Sequence, residues 1–272
     1  MRKHLSTIFL VLVLLAGLSL LLYPTLSDYW NSFHQSRAIA TYSDTVSDMD
    51  AVSYEPIWEA ARAYNRTLIG DPTRYKMTDE QKAQYSALLN VAGNGVMGYI
   101  EIPSLDCRFP VYHGTEESVL QVAIGHIEGT SLPVGGAGTH CVVSGHRGLP
   151  SAKLFTNLDQ MNMGDTFMLH VLDETLTYEV DQILIVEPHD VSALEIDPLS
   201  DLCTLVTCTP YGINSHRLLV RGYRVETAVE AAPVRVENEA EMIDEWLIGG
   251  CIAAPVLLLL LIIFLIRTRK KR

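Results

Sequence analysis

The stretch Thr204-Leu205-Val206-Thr207-Cys208-Thr209-Pro210-Tyr211-Gly212 is a β-type run that ends on a cysteine and turns at once through Pro and Gly. A strand end holds a side chain rigidly yet leaves it open to substrate, which is what a nucleophile needs. Nine residues on, Arg217 opens the next β-type run, so a hairpin lays it beside Cys208. A guanidinium there stabilises a thiolate or the oxyanion of a tetrahedral intermediate, and a neighbouring cation draws a thiol pKa from about 8.5 toward neutrality. Nucleophilic attack by an activated thiol is the chemistry this pair suits.

Such a thiol also needs a proton-transfer partner, and nine histidines compete. His4 is in the N-terminal tail, His34 and His113 fall in helical or turn contexts, and His170 and His216 lie within strands. His146 differs, because Ser144-Gly145-His146-Arg147-Gly148-Leu149-Pro150 sets it between glycines where a strand gives way to a loop. Spacing alone leaves two readings of Cys208 and His146, a catalytic pair or two structural residues. Four cysteines lie outside the membrane-type segments without the regular spacing of a disulfide framework, and Cys107, Cys141 and Cys203 read as buried free thiols. No His, Cys or carboxylate group has metal-ligand spacing, so neither metal nor cofactor is expected.

The chain around these residues has 272 residues, 48% of them hydrophobic, but the apolar residues are unevenly spread. Leu5 to Ser27 is a run of 23 residues without a formal charge, and Trp246 to Ile266 is one of 21. Each matches the roughly 20 residues that cross ~30 Å of hydrocarbon. The tails carry Arg2, Lys3 and the Arg267 to Arg272 cluster, a charge of +7, whereas the body holds 32 acidic and 13 basic residues. Basic flanks stay inside, which places both termini in the cytoplasm and the acidic body outside the cell membrane. No small-x-small cleavage pattern adjoins Leu20-Leu21-Leu22-Tyr23-Pro24, and the nearest, Ala38-Ile39-Ala40, lies too far downstream, so the first run reads as an uncleaved anchor. So acidic a body is not a nucleic-acid partner.

Between the spans the texture changes once. Ser27 to Asn65 reads as helical, with a second helix starting near Tyr54-Glu55-Pro56 and running through Tyr64. Gly70-Asp71-Pro72-Thr73 breaks it, and Thr78-Asp79-Glu80-Gln81 opens one more helix, to Leu89, with a capping box. From Gly95 short strands take over: 96–102, 109–112, 139–144, 166–172, 175–186, 203–208 and 216–225. Seven or eight strands in about 130 residues predict a mostly β fold, a closed barrel behind an N-terminal helical extension and flanked by two transmembrane helices. The expected partition is 1–26 tail and anchor, 27–94 helical extension, 95–230 barrel, 231–245 acidic connector, 246–266 second span and 267–272 basic tail.

Thr204-Leu205-Val206-Thr207-Cys208 resembles the signature of the sortases, cysteine transpeptidases of Gram-positive surfaces. Gly98-Tyr99-Ile100-Glu101-Ile102-Pro103 resembles that family's opening strand, Ser144 to Gly148 its histidine loop, and Ser215-His216-Arg217 through Gly222 its arginine strand. The resemblance implies Cys208 as nucleophile, His146 as general acid and base, and Arg217 rather than Arg221 or Arg224 as oxyanion and thiolate stabiliser. The helical extension, the paired spans and Gly125 to Gly136 look like the pilus-polymerising class C. That class carries an Asp-Pro-aromatic lid. Asp71-Pro72 fits it, within a lid segment of about 69–77, but Thr73 stands where the aromatic belongs and Tyr75 follows two residues on. Asp71 would then pair with Arg217 or simply cap a turn.

The implied reaction is cleavage of a Leu-Pro-x-Thr-Gly-like sorting signal between Thr and Gly, followed by transfer from the Cys208 thioester to a pilin lysine amine. The implied partners are pilin or surface-protein substrates, the lysine acceptor and the lipid membrane. The rivals are a housekeeping sortase that joins surface proteins to the cell-wall peptide, a cysteine hydrolase that gives the thioester to water, and a silent membrane-tethered scaffold.

Overall fold

The computed structural model describes residues 2–227. The connector, the second span and the basic tail expected over 231–272 lie outside the described residues.

A helix, α1 (Arg2–Ser47), runs from the apolar stretch into the part that packs on the barrel without interruption, with Pro24 inside it. The boundary expected at 26/27 is therefore a change of surroundings and not of backbone. Residues 9–26 present their apolar side chains outward, whereas Ile39, Tyr42 and Val46 are buried against the barrel. α2 (Tyr54–Leu68) has Pro56 in its first turn and an amphipathic pattern that buries Trp58, Ala61, Asn65 and Leu68. α3 (Asp79–Ala87) begins with the expected capping box, Thr78 accepting from Gln81 N and the Gln81 side chain accepting from Thr78 N.

Side chains pin these helices to the barrel. Trp58 Nε1 donates to Asp173 Oδ1 at 3.0 Å, and Asn65 exchanges two hydrogen bonds with the Leu132 backbone, at 3.1 and 2.8 Å. Tyr85 of α3 is fully buried, its hydroxyl against His126 Nδ1 at 2.8 Å. A short helix, α4 (Glu117–Leu120), was not anticipated from the sequence.

Eight strands close the barrel: β1 (Val96–Ile102), β2 (Cys107–His113), β3 (Ile124–His126), β4 (Thr139–Ser144), β5 (Thr166–Val171), β6 (Glu174–Val186), β7 (Asp201–Thr209) and β8 (His216–Val225). Their order around the barrel is β1-β2-β3-β4-β7-β8-β6-β5. The β2/β3 and β4/β7 pairs are parallel and the other pairs antiparallel. Seven of these strands match the predicted ones to within a few residues; β3, three residues long, is additional.

Alternation along the strands gives two apolar clusters. Cys141, Val143, Cys203, Leu205, Leu218 and Val220 point into the main core. Val142, Val206 and Leu219 point outward and form a second cluster with Leu194, packed by Leu184, Val186 and Ala193. That outer cluster is buried beneath the long connection from β6 to β7, which supplies Leu194 and Ala193.

Candidate active site

Cys208 is the eighth residue of β7, and its cross-strand partner on β8 is Arg217. Both share the outward face of their strands with Val206 and Leu219, so the thiol and the guanidinium stand at one end of the outer apolar cluster. Arg217 is also level with Val186, the last residue of β6. Its Nη1 donates to Asn214 O at 3.3 Å and His216 O at 3.1 Å, the carbonyls of its own turn. It has no carboxylate partner among the described residues. Arg221 is held by both oxygens of Asp181, at 3.0 and 2.6 Å, and Arg224 lies over the Tyr178 ring.

His146 is brought to the same place by a parallel strand pair. Ser144 of β4 is level with Val206 of β7. Gly145 N donates to Val206 O at 3.0 Å, carrying the pairing one residue further. Two positions past Ser144/Val206 come His146 and Cys208. Both, like Arg217, are half-buried.

The threonines of the Thr-Leu-x-Thr-Cys stretch have work of their own. Thr207 points inward, and its Oγ1 donates to Gly145 O at 2.7 Å, tying the residue before Cys208 to the residue before His146. Thr204 Oγ1 lies 2.7 Å from His140 Nε2, whose Nδ1 lies 2.9 Å from Glu195 O. A carbonyl only accepts, so Nδ1 carries the proton and Thr204 donates to Nε2. Gly145 is required by packing, since a Cβ there would sit 2.5 Å from Ile124 Cδ1 and 2.8 Å from Phe155 Cδ2.

Arg147 is a site residue to which the sequence alone assigned no role. It ion-pairs with Asp159, donates to Thr209 Oγ1 at 3.4 Å and lies over the Tyr211 ring. The histidine loop is thereby joined to the turn that follows Cys208. Its place directly after His146 was the only signal available.

On the same outer face, further along β7 and β8 from Cys208, a groove of about 560 Å³ lies between β6, β8 and the β6–β7 connection, lined in part by Leu184, Ala193, Glu195, Asp181 and Arg221. The segment 69–77 reaches that connection through Arg74. Arg74, which sequence reasoning passed over, is the anchor: it is 6% exposed and donates through Nη2 to Leu194 O at 2.9 Å. Its guanidinium lies 4.6 Å above the Tyr75 ring and 3.7 Å from the Glu195 carboxylate.

Asp71 is bonded within its own turn. Its Oδ1 accepts from Thr73 N and Thr73 Oγ1, each at 2.7 Å, which holds its carboxyl below the usual carboxylate range. The alternative of an Asp71–Arg217 pair is not formed, because each group is satisfied by its own loop. Pro72 and Thr73 are exposed.

The remaining thiols are free as inferred from sequence, but Cys107, expected to be buried, is only half-buried because it opens β2 at the end of a turn. Cys141, Cys203 and Cys107 are free, the first two fully buried side by side on β4 and β7. Burial, with Asp106 and Glu101 adding to it, pushes the Cys107 thiol up to about 12. Among the described residues no three His, Cys, Asp or Glu side chains converge as metal ligands would.

The sortase domain family model matches residues 100–225, from β1 through β8. The chain is 48% identical to sortase C1 from Streptococcus agalactiae, with a TM-score of 0.68 over 71% of this chain and 100% of that one. The chain belongs to the sortase family. To Streptococcus pneumoniae sortase C it is likewise 48% identical, with a TM-score of 0.64 over 70% of this chain and 97% of that one. Sortase D from Bacillus subtilis is 28% identical over 131 residues, 47% of this chain and 63% of that protein. The match thus spans less than two thirds of that curated relative. Members of the family are cysteine transpeptidases, and the matched region contains all three residues singled out from the sequence, His146, Cys208 and Arg217.

Proposed function

We propose that this sortase is a membrane-anchored cysteine transpeptidase of the class C type that polymerises pilins. The observation that carries the reading is the convergence of three chain segments at one end of the outer groove: Cys208 opposite Arg217 on β7/β8, and His146 delivered beside them by the parallel β4/β7 pair. Cys208 Sγ attacks the Thr-Gly carbonyl of a Leu-Pro-x-Thr-Gly-like signal, with Arg217 stabilising the oxyanion. The tetrahedral intermediate collapses as the C–N bond breaks, and His146 gives its proton to the leaving amine. A lysine amine then attacks the thioester, loses its proton to His146 and expels the Cys208 thiolate.

The pilin assignment leans on the two Sortase C neighbours, one of which is described in terms of pilin substrate specificity. α1 meets the length and composition of a membrane span and supplies the anchor, with residues 27–94 as the helical extension and 69–77 as a lid. The test is the full chain in lipid vesicles, given a Leu-Pro-x-Thr-Gly peptide with and without a lysine-bearing acceptor. Mass spectrometry should find an acyl adduct on Cys208 that passes to the lysine amine and is absent in Cys208→Ala. Release of free acid at the same rate with and without the amine would make the protein a hydrolase instead.

A further inference from the structure

The anchor helix is also a ruler along the barrel. Asp28 Oδ1 accepts from Lys153 N at 2.8 Å, and Asn31 Nδ2 donates to Ser151 O at 2.8 Å. Further along, Gln35 donates to Val122 O, and Tyr42 bonds Met97 O and Leu172 N. Ser151 and Lys153 close the loop that begins at His146. Leu172 lies at the β5–β6 hairpin, beyond the level of Thr177 and Val225, hence at the barrel end opposite Cys208. From Asp28 to Tyr42 the helix advances about 21 Å. The membrane-facing part of α1 is thus level with the histidine loop, and its far part with the opposite end.

The position of the bilayer follows from two features of α1. The uncharged run ends at Ser27, and Tyr23, Tyr29 and Trp30 bracket that point as an aromatic belt does. Trp30 is 64% exposed in the barrel-bound helix. The headgroup layer is roughly 5–7 Å thick, about four residues of helix, so it spans Asp28 to Asn31. These are the residues bonded to Ser151 and Lys153. At the same end the turn after Cys208 presents Tyr211 and Ile213 at 60% and 72% exposure, and Tyr211 lies against Gly148 and Arg147 of the histidine loop.

We propose that the catalytic end of the barrel rests on the lipid–water interface, with the β7–β8 turn, through Tyr211 and Ile213, in contact with the bilayer. The groove then opens at the membrane surface and takes peptide presented there, while the opposite end points away. This rests on α1 as a membrane span.

Full-length protein in phosphatidylcholine vesicles tests it, with lipids brominated high on the acyl chain as contact quenchers of tryptophan. Ile213→Trp adds a reporter at the proposed contact. Leu199→Trp adds one at the far end, where Leu199 is 89% exposed beside Ser200, whose carbonyl meets the start of β4. The signal of Trp30, obtained by difference from Trp30→Phe, reports whether α1 is inserted. The expected result is quenching at 213 comparable to that at Trp30, with emission at 199 unchanged. Quenching of Trp30 without quenching at 213, or equal quenching at 213 and 199, overturns the proposal. Absence of quenching at Trp30 overturns it through the anchor, leaving the transpeptidase reading untouched, since that is measured by acyl transfer.

Discussion

Cys208 and Arg217 face each other across the β7/β8 pair, and the guanidinium is held by the Asn214 and His216 carbonyls instead of a carboxylate. In the proposed mechanism no counter-ion among the described residues therefore has to be displaced before Arg217 acts on an oxyanion. Removing an oxyanion donor costs about 10²–10³ in kcat, and the Arg217→Lys variant should fall in that range, because an ammonium lacks the fork that spans both turn carbonyls and substrate. Its Tm should stay within a few degrees of the parent, since the side chain is half-buried and carries no buried ion pair. Single-turnover acylation measured beside thermal melts checks both. A full-speed Arg217→Lys enzyme would remove Arg217 from the mechanism.

Stability should fall as the solution is acidified through the range of His140. Burial is the main cause that lowers its pKa, to about 4, with Arg221 and Arg74 adding to it while the Glu195 carbonyl and Asp181 oppose. The folded pKa lies below the unfolded value of about 6.5, so the unfolded chain binds the proton first. The stability linked to His140 is complete near pH 7, is lost progressively between about 6.5 and 4, and amounts to roughly 3 kcal/mol. His140→Gln, which keeps a donor and an acceptor, should be less stable at pH 7 and show a flatter decline to pH 4.5 in denaturant titrations. An unchanged slope would assign the acid sensitivity elsewhere.

What the sequence made legible was local. Cys208 and Arg217 are joined by a hairpin, so a spacing of nine residues implied their meeting. The meeting of His146 with Cys208 depends on the parallel β4/β7 pair, whose strands are separated by β5 and β6, and only the family resemblance supplied it. β3 escaped because three residues, one of them Gly125, show no alternation. Asp71-Pro72 drew attention as a motif, yet the residue that fastens its segment is Arg74, an isolated arginine whose partners Leu194 and Glu195 lie some 120 positions away. Charge patterning does not reveal a contact of that kind.

The four described thiols should separate by accessibility. Cys208 is half-buried at the groove end, Cys107 is held in its thiol form by burial, and Cys141 and Cys203 are enclosed in the core. Only a thiolate reacts with an alkylating agent. Peptide mapping after brief iodoacetamide treatment at pH 7.5 should therefore find Cys208 modified first, Cys107 slowly, and Cys141 and Cys203 only after unfolding, with Cys251 followed as a separate peptide. Early modification of Cys141 or Cys203 would mean that the β4/β7 interface opens in the native protein.

Release of the 69–77 segment should respond to Arg74 more than to Asp71. Asp71 holds only Thr73, two residues on, at the surface, so Asp71→Ala loosens one turn and leaves the segment docked. Arg74→Ala removes a charged donor from the buried Leu194 carbonyl and the cation above Tyr75, interactions worth about 1.5–3 kcal/mol together with the carbonyl left unpaired. Leu194 is itself part of the outer apolar cluster, so the loss acts on that cluster as well as on the 69–77 segment. If the docked segment limits entry, each 1.4 kcal/mol of weakened docking raises the open population about tenfold. Acylation of Cys208 by peptide should then rise roughly tenfold in Arg74→Ala and by much less in Asp71→Ala. A larger gain in Asp71→Ala would place the latch at the Asp-Pro turn and reduce Arg74 to a packing residue of the β6–β7 connection.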